Sequence, residues 1–184
     1  MSKAHKWKRV VAILGSLIGV GLLIGLGTYL YISYKNHPVP QSELFGVALE
    51  MEPVDVLLAL GEPTRKDTIN NDQGEDTIVY GYQTLSWGGI DKVVRFKNDN
   101  DTLRVSAICD LSPGGELYGL YSFSNEDEVI KKFGKPSSES ISSDGLRKFL
   151  TFGPLNVAVE IEKRLVTTVC VTNRDTSYIN EYAG

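Results

Sequence analysis

An uncharged, apolar run near the N-terminus constrains this chain more than any other feature. Residues Val10 to Ile32 contain no charged side chain and are almost all Val, Ile, Leu, Ala, Gly or Tyr. As an α-helix, these 23 residues measure roughly 35 Å, enough to cross a hydrocarbon core of about 30 Å. The run therefore predicts a transmembrane helix over residues 10–32, between a short tail (1–9) and a linker (33–41).

The charges beside this run predict its orientation. Lys3, Lys6, Lys8 and Arg9 precede the run, whereas only Lys35 closely follows it among lysines and arginines. Positive charge favours the cytoplasmic side, so residues 1–9 are expected in the cytoplasm. A cleaved signal peptide has a shorter apolar core of about 7 to 15 residues. We therefore expect a single-pass protein of the bacterial inner (plasma) membrane with a periplasmic or otherwise extracytoplasmic domain.

Four glycines of the run have the spacing of a helix-dimer motif. Gly15 and Gly19, like Gly21 and Gly25, stand four residues apart, which lets two helix backbones approach closely. Glycine is also common in membrane helices in general. A homodimer through these glycines is therefore one of two interpretations, beside simple contact of residues 10–32 with the lipid bilayer.

The charge beyond Lys35 restricts the partners of the remaining domain. That part of the chain holds 14 of the 19 lysines and arginines and all 23 aspartates and glutamates, a net charge of −9. Such a surface repels phosphate backbones. Nucleic acid is therefore excluded as the expected partner, and a basic envelope protein is favoured.

Two segments of the domain recur at one offset. Leu44-Phe45-Gly46 returns as Leu117-Tyr118-Gly119, and Gly61-Glu62-Pro63 returns as Gly134-Lys135-Pro136, both 73 residues later. Self-similarity at a fixed offset indicates an internal repeat. We predict repeat 1 over 42–110, a connector over 111–116, repeat 2 over 117–173 and a C-terminal tail over 174–184.

Each repeat begins with signals of a short helix. Gly61 and Gly134 are suited to helix C-caps, and the prolines two residues later prevent continuation. Pro53 suits the first turn of the first helix, and Ser124 with Asp127 resembles a capping box for the second. Strands are expected after each helix at 77–83, 92–97 and 103–110, and at 147–152, 156–162 and 165–172.

The predicted fold class is α+β. It consists of the N-terminal transmembrane helix followed by two tandem repeats, each a helix plus an antiparallel meander. One unit of this size buries too little apolar surface by itself. The two repeats are therefore expected to share one sheet, with the helices on one face.

This order of helix, Leu-Gly-x-Pro stop, aromatic strand and further strands supports a family resemblance. The residues that carry it are Gly46, Val56, Leu60–Pro63, Tyr80, Tyr82, Phe96 and Val105, and in the second copy Gly119, Val129, Phe133–Pro136 and Val157. One unit resembles the small lipoprotein subunit of the outer-membrane β-barrel assembly machinery. The doubled unit resembles the β-lactamase inhibitor protein, and this resemblance implies protein binding through the concave sheet face.

The residue inventory argues against catalysis. The two histidines, His5 and His37, flank the apolar run, so the domain lacks histidine-based acid–base pairs and most zinc sites. Carboxylates cluster near the predicted helix starts, where the helix dipole favours them. We predict no enzyme activity, no cofactor and no metal site, with a carboxylate-based envelope hydrolase as a distant alternative.

The two cysteines occupy equivalent places in the last predicted strand of each repeat. Cys109 and Cys170 could form a disulfide in an oxidising compartment. Two buried free thiols would give the same sequence pattern. Both interpretations stay open from the sequence.

Aromatic residues supply the candidate binding surface. Tyr80, Tyr82, Trp87, Tyr118, Tyr121 and Phe123 lie on predicted strands and loops. Because aromatic side chains are good interface anchors, we predict partner contacts by Tyr80, Tyr82, Trp87 and Tyr121. The predicted function is a membrane-anchored, non-catalytic protein-binding module of the bacterial cell envelope that serves assembly or maintenance. An anchored inhibitor or immunity protein against a periplasmic effector is the alternative.

Overall fold

The computed structural model describes residues 19–29, 38–70, 76–83, 89–99, 101–115 and 117–173. The chain divides into two compact units, Met1–His37 and Pro38–Gly184. The predicted tails at 1–9 and 174–184 and most of the linker at 33–41 lie outside the described residues.

The first unit contradicts the predicted membrane anchor. Its described residues, 19–29, are helical, and this length corresponds to roughly 16 Å against the 30 Å or so of a hydrocarbon core. Across the described parts of the chain, no helix is both long and apolar enough to cross a membrane. The predictions of a transmembrane helix over 10–32, of a single-pass topology and of inner-membrane location are therefore wrong on this finding. Residues 10–18, including Gly15, and 30–32 lie outside the described residues.

Two antiparallel sheets form most of the second unit. A small hairpin consists of β1 (Glu43–Leu44) and β2 (Val47–Ala48). The large sheet has eight strands in the order β3-β4-β5-β6-β10-β9-β8-β7. Its strands are β3 (Arg65–Asn70), β4 (Asp76–Tyr82), β5 (Lys92–Asp99), β6 (Thr102–Asp110), β7 (Ser138–Ile141), β8 (Arg147–Phe152), β9 (Val157–Glu162) and β10 (Leu165–Thr172).

The large sheet consists of two four-stranded meanders. Strands β3 to β6 form one meander and β7 to β10 the other, and they join where β6 pairs with β10. The sheet therefore ends in two edge strands, β3 and β7. Every residue of β7 is exposed, and β3 begins with Arg65, Lys66 and Asp67.

The predicted fold class also needs correction, because the described chain is mostly β. The sequence indicated three strands per repeat, whereas each meander has four. The two additional strands, β3 and β7, follow the helices and were interpreted as polar turns. As edge strands they need not alternate buried and exposed residues as cleanly as inner strands do. The interpretation of the chain as two repeats stays a prediction.

Two eight-residue helices precede the meanders. They are α1 (Pro53–Leu60) and α2 (Glu126–Phe133), which begin and end 73 residues apart. Pro53 occupies the first turn of α1, and Gly61 and Gly134 terminate the helices with φ of 78° and 79°. These predicted signals are confirmed. The N-cap of α2 is Asn125, not the predicted Ser124, and its capping-box partner is Glu128.

The main core lies between the helices and one face of the large sheet. Val56 of α1 and Val129 and Phe133 of α2 are buried against it. The sheet supplies alternate residues that point to the same side, among them Val94, Phe96, Ile108, Leu150, Val159 and Val171. Alternation along the strands therefore places one apolar set under the helices.

The opposite face carries a smaller cluster at the junction of the two meanders. It contains Val79, Val93, Cys109, Ala158 and Cys170. Cys109 and Cys170 are direct partners across β6 and β10, with Cα atoms 4.1 Å apart, and they form a disulfide. The bond cross-links the two meanders at the centre of the sheet.

Candidate protein-binding groove

Of the four aromatic residues that were predicted to bind a partner, the structure describes three, and these three differ in exposure. Tyr80 is half-buried and packs edge-on against Phe96, with ring centroids 4.7 Å apart. Tyr82 is only 4% exposed. Trp87 lies outside the described residues. Tyr121 is 41% exposed, so it is the one described member of the set with substantial surface for a partner.

Tyr82 is a core residue with a buried hydroxyl group. That hydroxyl has no hydrogen-bond partner within the described structure. Burial, with the neighbouring Tyr80 and Glu62, raises the pKa of Tyr82 to about 12. The residue therefore stays neutral and inaccessible, and its predicted role as a partner anchor has no support in its position.

Tyr121 is paired with a second exposed aromatic residue, Phe123. Their rings are stacked, with centroids 5.2 Å apart and planes inclined by 11°. Phe123 is 73% exposed. Large exposed aromatic side chains at one place are typical of interaction sites rather than of inert surface. We call this pair, with the adjoining surface of α2, the aromatic groove.

Reciprocal hydrogen bonds fix the loop that carries the pair. The backbone N–H of Tyr121 donates to Ser124 Oγ at 3.2 Å, and the N–H of Ser124 donates to the carbonyl of Tyr121 at 2.9 Å. Ser124 is buried, and its carbonyl accepts from the N–H of Val166 at 2.8 Å. The loop is thereby tied to strand β10.

Gly115 allows the ring of Tyr121 to take its position. A Cβ atom at Gly115 would lie 2.5 Å from the Tyr121 ring, and the glycine has φ of 99°. An L-residue is strained at that φ, and its side chain would also push the ring aside. The Gly114–Tyr121 bridge holds the same two segments together. The backbone therefore orients Tyr121.

Helix α2 forms the opposite wall of the groove. Asn125 Oδ1 accepts from the N–H of Glu128 at 3.0 Å, and Glu128 Oε2 accepts from the N–H of Asn125 at 3.2 Å. Lys148 of β8 forms an ion pair with Glu126 at 2.5 Å. The start of the helix is thus held both by its own cap and by the sheet.

The groove has a volume of about 420 Å³. Its wall includes Tyr121, Phe123, Ser124, Glu128, Lys131 and Lys132. Glu128 is engaged in the capping box, and Lys132 donates to the carbonyl of Tyr118. Lys131 makes no ion pair or hydrogen bond with any described residue, so its ammonium group is available at the rim.

The carboxylates do not assemble a reactive pair at this groove. The acidic residues of α2 lie in its first turn, where the helix dipole favours negative charge. Glu160 stands apart, on the sheet face opposite the helices. Burial raises the pKa of Glu160, while a hydrogen bond from Thr167 and the charge of Arg147 oppose that rise.

Sequence reasoning included Phe123 among the aromatic residues but did not select it. Alternation along the strands was the sequence signal that could have separated core aromatic residues from exposed ones. Ile78, Tyr80 and Tyr82 lie two residues apart on one strand, so they share a face, and that face belongs to the core. Phe123 lies between two serines, two residues before the helix N-cap Asn125, outside any apolar alternation.

The comparisons with known proteins provide little further guidance. No family model matches the chain, and no curated protein matches it. Among solved structures, the chain is similar to a DUF4309 family protein (YjgB) from Bacillus subtilis subsp. subtilis str. 168. The identity is 18%, the match covers 77% of this chain and 90% of that chain, and the TM-score is 0.45. These values carry no argument about function, and the resemblance to the β-lactamase inhibitor protein stays a prediction.

Proposed function

We propose that this chain is a non-catalytic protein-binding module of the bacterial cell envelope that engages its partner through the aromatic groove. The observation that carries the proposal is the stacked, exposed Tyr121–Phe123 pair on a hydrogen-bonded loop. The Cys109–Cys170 disulfide supports an oxidising compartment, since such bonds persist outside the reducing cytosol. The proposal includes no membrane anchor.

The geometry supports binding because the aromatic pair is preorganised. Two rigid rings offer a large contact area, and few side-chain rotations are lost when a partner covers them. The loop is already held by Ser124 and by Gly115, so little backbone ordering remains to be done on association. A partner side chain can enter the groove, while Lys131 contributes polar contact at its rim.

Site-specific photo-crosslinking tests the proposal. The full chain, with a benzophenone amino acid in place of Phe123, is irradiated in cells of the source organism, and adducts are identified by mass spectrometry. The matched control carries the same amino acid in place of Ile141, which is also exposed but lies on β7. A discrete protein adduct at 123 that is absent at 141 supports the proposal.

Direct binding then completes the test. The identified partner is purified and titrated against wild type and a Tyr121→Ser/Phe123→Ser variant. Hot-spot aromatics typically contribute about 2 kcal/mol or more, so affinity should fall by about 30-fold. An Ile141→Ser variant should bind as wild type does. The proposal is wrong if no adduct forms at 123, or if the double variant binds normally.

A further inference from the structure

Helix α1 presents an unusual apolar face to solvent. Only Val56 of its eight residues is fully buried. Val54 is 56% exposed and Leu58 is 82% exposed, and they lie four residues apart on the same side of the helix. A surface helix normally carries polar residues on the side away from the core. The Val54–Leu58 stripe is therefore an exception that packing against the described residues does not explain.

Helix α2 shows which residues a helix at this place in the fold needs in order to form. It occupies the corresponding place 73 residues later, buries Val129 where α1 buries Val56, and has the same length. At the positions of Val54 and Leu58 it carries Asp127 and Lys131, both exposed. The same short helix therefore forms with charged residues at these two positions. We conclude that folding does not need the apolar stripe of α1.

Carboxylates flank the stripe along the chain. Asp55 lies on α1 beside it, Glu52 is the N-cap residue, and Glu62 follows the C-cap glycine. Glu52 and Glu62 form partly exposed ion pairs with Arg104 at 3.0 Å and Lys66 at 3.3 Å. Such pairs leave much of the carboxylate surface to solvent. Asp55 has no ion pair with any described residue, so three carboxylates against two cations leave these ends of α1 with an excess of one negative charge.

We propose that the Val54–Leu58 stripe docks a basic amphipathic helix of a partner protein. The apolar residues of that helix, spaced three and four apart, would cover Val54 and Leu58. Its lysines and arginines would face Asp55, Glu52 and Glu62. Helix-in-groove recognition uses this spacing, and charge complementarity selects the basic partner over an acidic one. This surface is separate from the aromatic groove, so the two proposals are independent.

A designed peptide provides the probe. A fluorescent peptide of about 14 residues, composed of leucine and lysine with the leucines on one helical face, is titrated against the full chain by anisotropy. Two comparison peptides have glutamate in place of lysine, or the same composition in scrambled order. The lysine peptide should bind at least about tenfold more tightly than either. Equal binding of all three would contradict the proposal.

Variants of the chain locate the binding. Leu58→Lys installs the residue that α2 carries at the equivalent position, and Leu58→Gln removes the apolar contact without adding charge. Both should weaken binding at least about tenfold. Leu146→Lys is the matched control, because Leu146 is 61% exposed on the turn before β8. It should change affinity by less than about twofold.

The remaining outcomes also decide the question. The Tyr121→Ser/Phe123→Ser variant should bind the peptide as wild type does, which separates this proposal from the aromatic groove. Thermal melting of each variant checks that the fold is retained. Sedimentation of wild type and Leu58→Lys tests for a second copy as the occupant. Self-association that disappears in Leu58→Lys, or unchanged peptide affinity in Leu58→Gln, would overturn the proposal.

Discussion

Removal of the Cys109–Cys170 disulfide should destabilise the domain substantially. The bond closes a loop of 61 residues, and in the chain-entropy model a loop of this length corresponds to about 4 kcal/mol at 25 °C. Measured effects are often smaller, so we expect a loss of about 2 to 4 kcal/mol. The appropriate variant is Cys109→Ala/Cys170→Ala. Both positions are buried, and serine would bury a hydroxyl group without a partner.

Equilibrium unfolding in urea measures this effect. The free energy of unfolding is extrapolated to water for oxidised wild type, reduced wild type and the double alanine variant. The midpoint should fall by roughly 1 to 2 M urea in the last two. Reduction isolates the cross-link, whereas the variant also loses two sulfur atoms from the small cluster. If oxidised and reduced wild type unfold at the same midpoint, the argument from loop closure is refuted.

Three further perturbations follow from named contacts. Gly115→Ala should cost about 1 to 2 kcal/mol in urea unfolding because of its positive φ, and should weaken partner binding by displacing Tyr121; unchanged stability would contradict this. Asn125→Ala should cost about 1 kcal/mol by removing the N-cap bond to α2, with loss of helical circular dichroism on heating at a lower temperature. Burial raises the pKa of Glu160 in the folded state above its value in the unfolded chain. The folded state then binds more protons, so this group lowers stability progressively as pH rises from the unfolded pKa through the folded pKa. Glu160→Gln should therefore gain stability relative to wild type as pH rises from the ordinary glutamate pKa through the raised pKa of Glu160; a difference independent of pH would contradict the assignment.

Local signals predicted much of the domain. Strands β8 and β10 have the bounds expected from the sequence, and α1 and α2 end at the expected glycines. These elements are determined by short-range chemistry, namely alternation on a half-buried sheet and the conformational freedom of glycine at a helix end. Ser124 and Asn125 are both good N-caps, so sequence alone misplaced the start of α2 by one residue.

The errors arise where a local pattern has more than one structural meaning. The edge strands β3 and β7 face water and lack a clear apolar alternation, so they were taken for turns. The apolar run at 10–32 satisfied a criterion of length and composition that the described helix does not meet.

The candidate site was only partly predictable. Tyr80, Tyr82 and Tyr121 have the same chemistry, and their exposure depends on which strands and helices lie over them. Tyr82 points beneath the helices, whereas Tyr121 stands on the loop before α2. The 73-residue offset already aligns Leu58 with Lys131. That Leu58 is an exposed apolar side chain became clear only when the structure showed which side of each helix faces the core.

The two ends of the large sheet have a consequence for how this domain can associate. At one end β3 begins with three charged residues, Arg65, Lys66 and Asp67, and at the other β7 is only four residues long. Charged and short borders discourage the addition of a foreign strand, the route by which sheets polymerise. The two edge strands therefore disfavour extension of the sheet by backbone pairing with another chain. Recognition by this domain is therefore expected to use side chains on its helices and loops rather than the backbone of its edge strands.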